Sequence, residues 1–161
     1  MKEILKLAEN FEIEGYRFYH QKMKEVRHKR VAEVFEYLAE MEKEHTEFIR
    51  RLIKDLDEGK EISFQVSEKP EIFSKRYESQ ALEITPFEDD FQDLAVLRMA
   101  YLIEKDFMEF YKRSAEKVED SELKKILLLL KDWEASHKEI IEREIKSLME
   151  KNNLDLGFYP F

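Results

Sequence analysis

Apolar residues recur at three- and four-residue steps over four long stretches, the period that lines one face of an α-helix. The first stretch spans about residues 2–27, through Ile4, Leu5, Ala8, Phe11, Tyr16, Tyr19, Met23 and Val26. The second spans about 31–57, through Val34, Phe35, Leu38, Met41, Phe48, Ile49, Leu52, Ile53 and Leu56, and Asp57-Glu58-Gly59 supplies a glycine stop. The third, capped by Asp89 or Asp90, runs to about 119 through Leu94, Leu97, Ala100, Tyr101, Phe107, Met108, Tyr111, Ala115 and Val118. The fourth, capped by Asp120 or Ser121, runs to about 151 through Leu123, Ile126, Leu127, Leu130, Trp133, Ile141, Ile145 and Leu148. The polar run Arg27-His28-Lys29-Arg30 reads as the turn between the first two.

Residues 59–88 break the helical period. Ile62, Phe64 and Val66 alternate briefly, Pro70 and Pro86 interrupt, and Glu71 to Glu78 can form a short helix. A connection this long fits a single all-α domain over 1–161, a four-helix bundle with a long crossover between its second and third helices. Composition agrees: 40% of residues are charged, and only three Gly and three Pro occur, which favours long helices over sheets. The tail carries Phe158, Tyr159 and Phe161, an aromatic density that suits docking on this subunit or a neighbour.

Sliding the sequence by 92 positions lays the second half on the first. Leu5 falls on Leu97, Ala8 on Ala100, Val26 on Val118, Leu38 on Leu130, Ile49 on Ile141 and Leu56 on Leu148. The same shift carries Glu12 onto Glu104, Phe18-Tyr19 onto Phe110-Tyr111, Glu42 onto Glu134, and His45 onto His137. Two helical hairpins derived from one unit follow, each contributing the same polar residues to a pseudo-twofold bundle.

Glu42, His45, Glu134 and His137 interrupt otherwise apolar stripes, where unpaired charge is expensive. Glu and His three apart lie about 60° apart around a helix axis, so both address the same neighbour. One Glu from each hairpin's first helix and a Glu-x-x-His pair from its second make the ligand pattern of dinuclear carboxylate bundles. Four carboxylates can neutralise two divalent cations, and imidazole adds a nitrogen donor suited to iron and neighbouring metals. The expected metal ligands are therefore Glu12, Glu42, His45, Glu104, Glu134 and His137, for two iron ions or for manganese or a mixed pair. The competing structural reading is a metal-free bundle in which these charges are solvated or paired.

A single Glu-x-x-His means little here: Glu25-Val26-Arg27-His28 also fits, yet its shifted positions are Lys117 and Asp120. His28 is accordingly expected in a turn or at the surface, and His20 is expected to be exposed. Glu9 shifts onto Tyr101, which favours Glu12 as the ligand, while Glu14 and Asp106 point toward solvent. Tyr19 and Tyr111 are either plain core aromatics or donors to ligand carboxylates. Trp133 and Met41, aligned by the shift, read as packing residues. Gly15 in a helix interior costs about 1 kcal/mol against Ala, and close approach by a neighbouring helix would account for it.

The net charge of −9 argues against nucleic acid and against an anionic membrane surface as partners. No Cys is present, which excludes disulfides, thiolate catalysis and Cys-ligated centres from this chain. The N-terminal Met1-Lys2-Glu3-Ile4-Leu5-Lys6 lacks a signal-peptide core, so a cytoplasmic location is expected.

Taken together, Glu12-x-x-Gly15-x-x-Phe18-Tyr19 with Glu42-Lys43-Glu44-His45, and Glu104 with Phe110-Tyr111 and Glu134-Ala135-Ser136-His137, resemble the rubrerythrin-like branch of the ferritin-like superfamily. The resemblance covers nearly all of the chain except the crossover and tail. It implies a ferritin-like four-helix bundle with a di-iron or mixed-metal centre, in a homodimer or larger homo-oligomer. It also implies an oxidoreductase reacting with hydrogen peroxide or dioxygen; the alternative is a ferroxidase or iron-storage protein. Two departures stand out. Rubrerythrins proper carry a Cys-rich rubredoxin module, missing here, so electrons would come from a separate donor protein. They also have an extra Glu one turn from the main third-helix ligand, where this chain has Tyr101 and Phe107 around Glu104.

Overall fold

The computed structural model describes residues 1–62 and 86–153. Among them are four helices and no strand: α1 (Lys2–Lys22), α2 (Lys29–Asp57), α3 (Phe87–Lys117) and α4 (Ser121–Lys151). The expected alternation around Phe64 and Val66, the short helix at 71–78 and the aromatic tail all lie outside the described residues. No helix among the described residues is long and apolar enough to cross a membrane.

The helix boundaries follow from local hydrogen bonding. α1 ends at Lys22 and not near residue 27. The amides of Lys24 and Glu25 reach back three residues to Gln21 and Lys22, tightening the last turn. Arg27 and His28 then turn their N–H groups onto the carboxylate of Asp93 on α3 at 2.8–3.0 Å. α2 ends as expected at its glycine. Gly59 takes φ +68°, Gly59 N–H bonds Leu56 O, and Lys60 N–H bonds Asp55 O, the two bonds of a left-handed helix stop.

α3 begins before either expected cap. The Pro86 carbonyl accepts from Asp89 and Asp90 N–H, so Glu88, Asp89 and Asp90 fill the first turn, where their charge suits the helix dipole. Asp120 does cap α4: its side chain accepts from Leu123 N at 2.7 Å, a contact that contributes about 1 kcal/mol.

The helices pack mainly as two hairpins, α1 with α2 and α3 with α4. Two apolar clusters fill the bundle. One gathers Tyr19, Val31, Val34, Phe35, Leu38, Leu97, Ala100, Ile141 and Ile145, and the other Leu5, Ala8, Ile49, Leu52, Tyr111, Leu123, Ile126, Leu127 and Leu130. The 92-residue shift exchanges them. Leu5 and Ala8 of the second cluster map onto Leu97 and Ala100 of the first, and Val34, Phe35 and Leu38 of the first map onto Ile126, Leu127 and Leu130 of the second. The repeat therefore becomes a pseudo-twofold relation between the two ends of the core, with the buried polar residues between them.

One polar cluster was not foreseen. His28, expected at a turn or surface, does sit in the turn as the residue before α2, but it is only 2% exposed. Its Nε2 lies 2.8 Å from Asp90 Oδ1 and its Nδ1 lies 2.8 Å from Asp93 Oδ2. Asp90 in turn accepts from Lys151 Nζ and Asn152 Nδ2 near the end of α4. This network ties the α1–α2 turn to the start of α3 and the end of α4. The burial has a simple cause: Asp90 and Asp93 give both ring nitrogens the polar partners that a lone buried histidine would lack.

Candidate metal centre

All six expected ligands are buried at one level of the bundle. Glu12, Glu42, Glu104 and Glu134 are fully buried, and His45 and His137 nearly so. Each helix places its residue on the inner stripe: Glu12 from α1, Glu42 and His45 one turn apart on α2, Glu104 from α3, Glu134 and His137 one turn apart on α4. One ligand atom from each of Glu42, His45, Glu134 and His137 lies within 4.8 Å of the other three.

The distances divide the carboxylates into two kinds. Glu42 lies between the imidazoles, with Oε2 3.3 Å from His45 Nδ1 and Oε1 3.1 Å from His137 Nδ1. Glu134 also faces both, at 3.7 Å and 3.9 Å. Glu12 sits at the His45 end, 3.1 Å from its Nδ1, and Glu104 sits at the His137 end, 3.6 Å away. The imidazole rings lie parallel, with centroids 5.1 Å apart.

The tyrosines resolve the open alternative. Tyr19 OH donates to Glu104, and Tyr111 OH donates to Glu12, so each hairpin holds the terminal carboxylate of the other. Both are fully buried core aromatics as well. Trp133 packs as expected, and on one of the candidate ligands: its ring stacks on His45 at 4.2 Å and 12°. His20, Glu14 and Asp106 face solvent as expected, and Glu9 pairs with Arg50 away from the centre.

Gly15 has a more specific role than helix approach. A Cβ placed there would meet Glu42 Cδ at 3.2 Å and Glu42 Cγ and Oε1 at 3.3 Å. The missing side chain is thus the space that Glu42 occupies. Gly15→Ala should change the metal-free melting temperature little, because the better helix propensity of Ala offsets the cost of moving Glu42 by a few tenths of an ångström. It should weaken metal affinity about tenfold, because Glu42 is pinned by both histidines and must shift. Thermal melts alongside metal titration check both arms; unchanged affinity would show that Glu42 yields freely.

Burial drives the electrostatics. It pushes the Glu42 carboxyl up to about 7, with the charges of Glu104 and Glu12 adding and His137 opposing. Burial and the charges of Glu12, Glu42 and Glu104 push Glu134 well above the usual range. Burial also acts to raise Glu12 and Glu104, but His45 and His137 respectively outweigh it and hold both carboxyls low. Burial would lower the imidazoles, yet Glu12 and Glu42 raise His45, and Glu42 and Glu104 raise His137 strongly. Burial and the neighbouring carboxylates push the phenols of Tyr19 and Tyr111 well up, which keeps them donors.

The residues fit a pair of cations. Among the described residues, Glu42 Oε2, Glu104 Oε2 and both oxygens of Glu134 are buried and find no hydrogen-bond partner. Buried carboxylate oxygens are costly to leave unmatched, and a divalent ion is the partner that an all-oxygen-and-imidazole donor set selects.

The rubrerythrin family pattern matches residues 3–145 of the sequence. The chain belongs to the rubrerythrin family. A hypothetical protein from Pyrococcus furiosus shares the fold, with a TM-score of 0.65 and 26% identity over 92% of this chain and 90% of the other. No curated protein matches the chain. The departure expected at the third helix lies in the core. Tyr101 and Phe107, the positions beside Glu104 where the extra glutamate would stand, are buried in the apolar clusters, and Phe107 stacks on Phe11 at 4.9 Å. The surroundings of Glu104 on α3 therefore offer no spare carboxylate.

Proposed function

We propose that the protein is a di-iron oxidoreductase that reduces hydrogen peroxide or dioxygen with electrons from a separate donor protein. The observation that carries this reading is the buried six-residue centre, with its orphaned carboxylate oxygens and reciprocal tyrosine clamps. Glu12 and His45 would hold one ion and Glu104 and His137 the other, with Glu42 and Glu134, which face both imidazoles, available to either. Bound iron supplies the electrons that pass to the oxidant; manganese or a mixed pair would occupy the same donors.

The chain's own contribution is positioning and exclusion. Tyr19 and Tyr111 fix the terminal carboxylates across the hairpin interface and keep their phenolic protons. The apolar clusters on either side keep bulk water from the ligands and strengthen the electrostatics between them. Peroxide reduction consumes two electrons and two protons and yields two waters, so the donor must deliver reducing equivalents while protons come from solvent.

Elemental analysis of protein purified without chelator tests the centre. About two iron or manganese atoms per chain are expected, and none in a Glu42→Ala/Glu134→Ala double variant. Absence of metal after anaerobic ferrous loading of the wild type would defeat the reading. A shell-sized particle holding many irons per chain would instead support the ferroxidase or storage role, and a homodimer would fit the oxidoreductase.

A further inference from the structure

The pseudo-twofold relation makes the two halves of the centre equivalent in ligand type, but not in surroundings. The shift that carries His45 onto His137 carries Met41 onto Trp133. Trp133 stacks on His45 at 4.2 Å and 12°, and packs edge-on against Phe48 at 5.2 Å. Among the described residues the only ring stacked on His137 is that of His45. His45 is therefore held by an indole, and its counterpart is not.

Two further contacts lean the same way. Glu12 lies 3.1 Å from His45 and is hydrogen-bonded to it, whereas its counterpart Glu104 lies 3.6 Å from His137, whose hydrogen bond at 3.1 Å is to the shared Glu42. Gly15 opens the space that Glu42 occupies, whereas its shifted counterpart is Phe107, whose ring stacks on Phe11. A ligand ring already fixed in orientation loses less freedom when it coordinates, so its site binds more tightly.

We propose that Trp133 is a positioning residue that makes the His45–Glu12 half of the centre the first to take a metal ion. The inference rests on the dinuclear reading above and adds an order of filling to it. Trp133 acts through His45: it restricts the imidazole plane and shields that half from water, and it does not itself coordinate.

Trp133 is also the chain's only tryptophan, so its emission reports on the half-site it touches. The experiment is an anaerobic Co2+ titration of the full chain, followed in parallel by cobalt visible absorption and tryptophan emission. Emission should reach its final quenched level by the first equivalent, while absorption continues to rise to the second. In Trp133→Leu, followed by absorption and calorimetry, the first step should weaken about three- to tenfold and merge with the second. Trp133→Phe, which keeps a stacking ring, should restore the separation. Emission and absorption advancing together through both equivalents would overturn the proposal, as would equal weakening of both steps in Trp133→Leu. The wild-type emission result decides the question even if Trp133→Leu does not fold. Wild-type protein that binds no Co2+ would overturn this proposal together with the dinuclear centre, an outcome distinct from two ions binding equivalently.

Discussion

Metal loading should raise the melting temperature by about 15–30 °C at pH 8, and by much less at pH 5. The magnitude follows from mass action: about 4 kcal/mol per ion at a thousandfold excess over the dissociation constant, for two ions. In a chain of this size each kcal/mol moves the midpoint by about 2–4 °C.

The pH dependence follows from the buried groups of the metal-free fold. Glu42 and Glu134 titrate above the ordinary value of 4.5, and His45 and His137 above 6.5. A group raised in the folded state contributes stability that is complete below its unfolded pKa and is lost as pH rises through the folded one. For Glu42, moving from 4.5 to about 7, the loss across that window is about 3 kcal/mol. Glu12 and Glu104 are held low and act oppositely: their contribution is present above 4.5 and is lost only as pH falls below it. The metal-free protein should therefore be most stable near pH 5 and weaken toward pH 8. Bound cations replace the protons and remove that loss, so the gap between loaded and stripped protein widens with pH. Thermal melts with and without metal at pH 5, 6.5 and 8 measure it. A metal-free protein that gains stability between pH 5 and 8 would contradict the electrostatic account of the site.

The second large effect concerns the buried histidine between α1 and α2. His28→Ala should destabilise the protein by about 3 kcal/mol, the scale for leaving buried charged groups short of a hydrogen-bond partner. The substitution takes a charged-group contact from both Asp90 and Asp93. Asp93 keeps the N–H groups of Arg27 and residue 28, and Asp90 keeps Lys151 and Asn152, which limits the loss. Urea unfolding of the metal-free variant is the measurement. Stoichiometric metal binding by the folded variant is expected to persist, because the contacts of His28 with Asp90 and Asp93 involve none of the six candidate ligands. A loss below about 0.5 kcal/mol, typical of surface substitutions, would mean that the network contributes geometry but little stability.

Local rules made much of this protein legible. The three- and four-residue apolar period located α1 to α4, and the Gly59 stop and Asp120 cap marked two ends by side-chain chemistry that acts within a few residues. The candidate ligands were legible for a related reason. Each sits on an inner stripe, and the 92-residue repeat separates Glu42-x-x-His45 and Glu134-x-x-His137 from the decoy at Glu25-x-x-His28.

The sequence by itself thus determined the helices, the duplication and which polar side chains face inward, because all three are encoded in spacings along one chain. Only the tertiary structure decided which of those side chains meet. Tyr19 bonds Glu104 and Tyr111 bonds Glu12 across the hairpin interface, pairings that depend on how two rigid hairpins pack and leave no mark on local periodicity. His28 finds Asp90 and Asp93 more than sixty positions away and is buried, while Asp90, which has the look of a helix cap, serves that contact instead. Trp133 chooses His45 and not its own hairpin's His137 for the same reason. Secondary structure is a matter of neighbours in sequence; the asymmetry of the centre is a matter of neighbours in space.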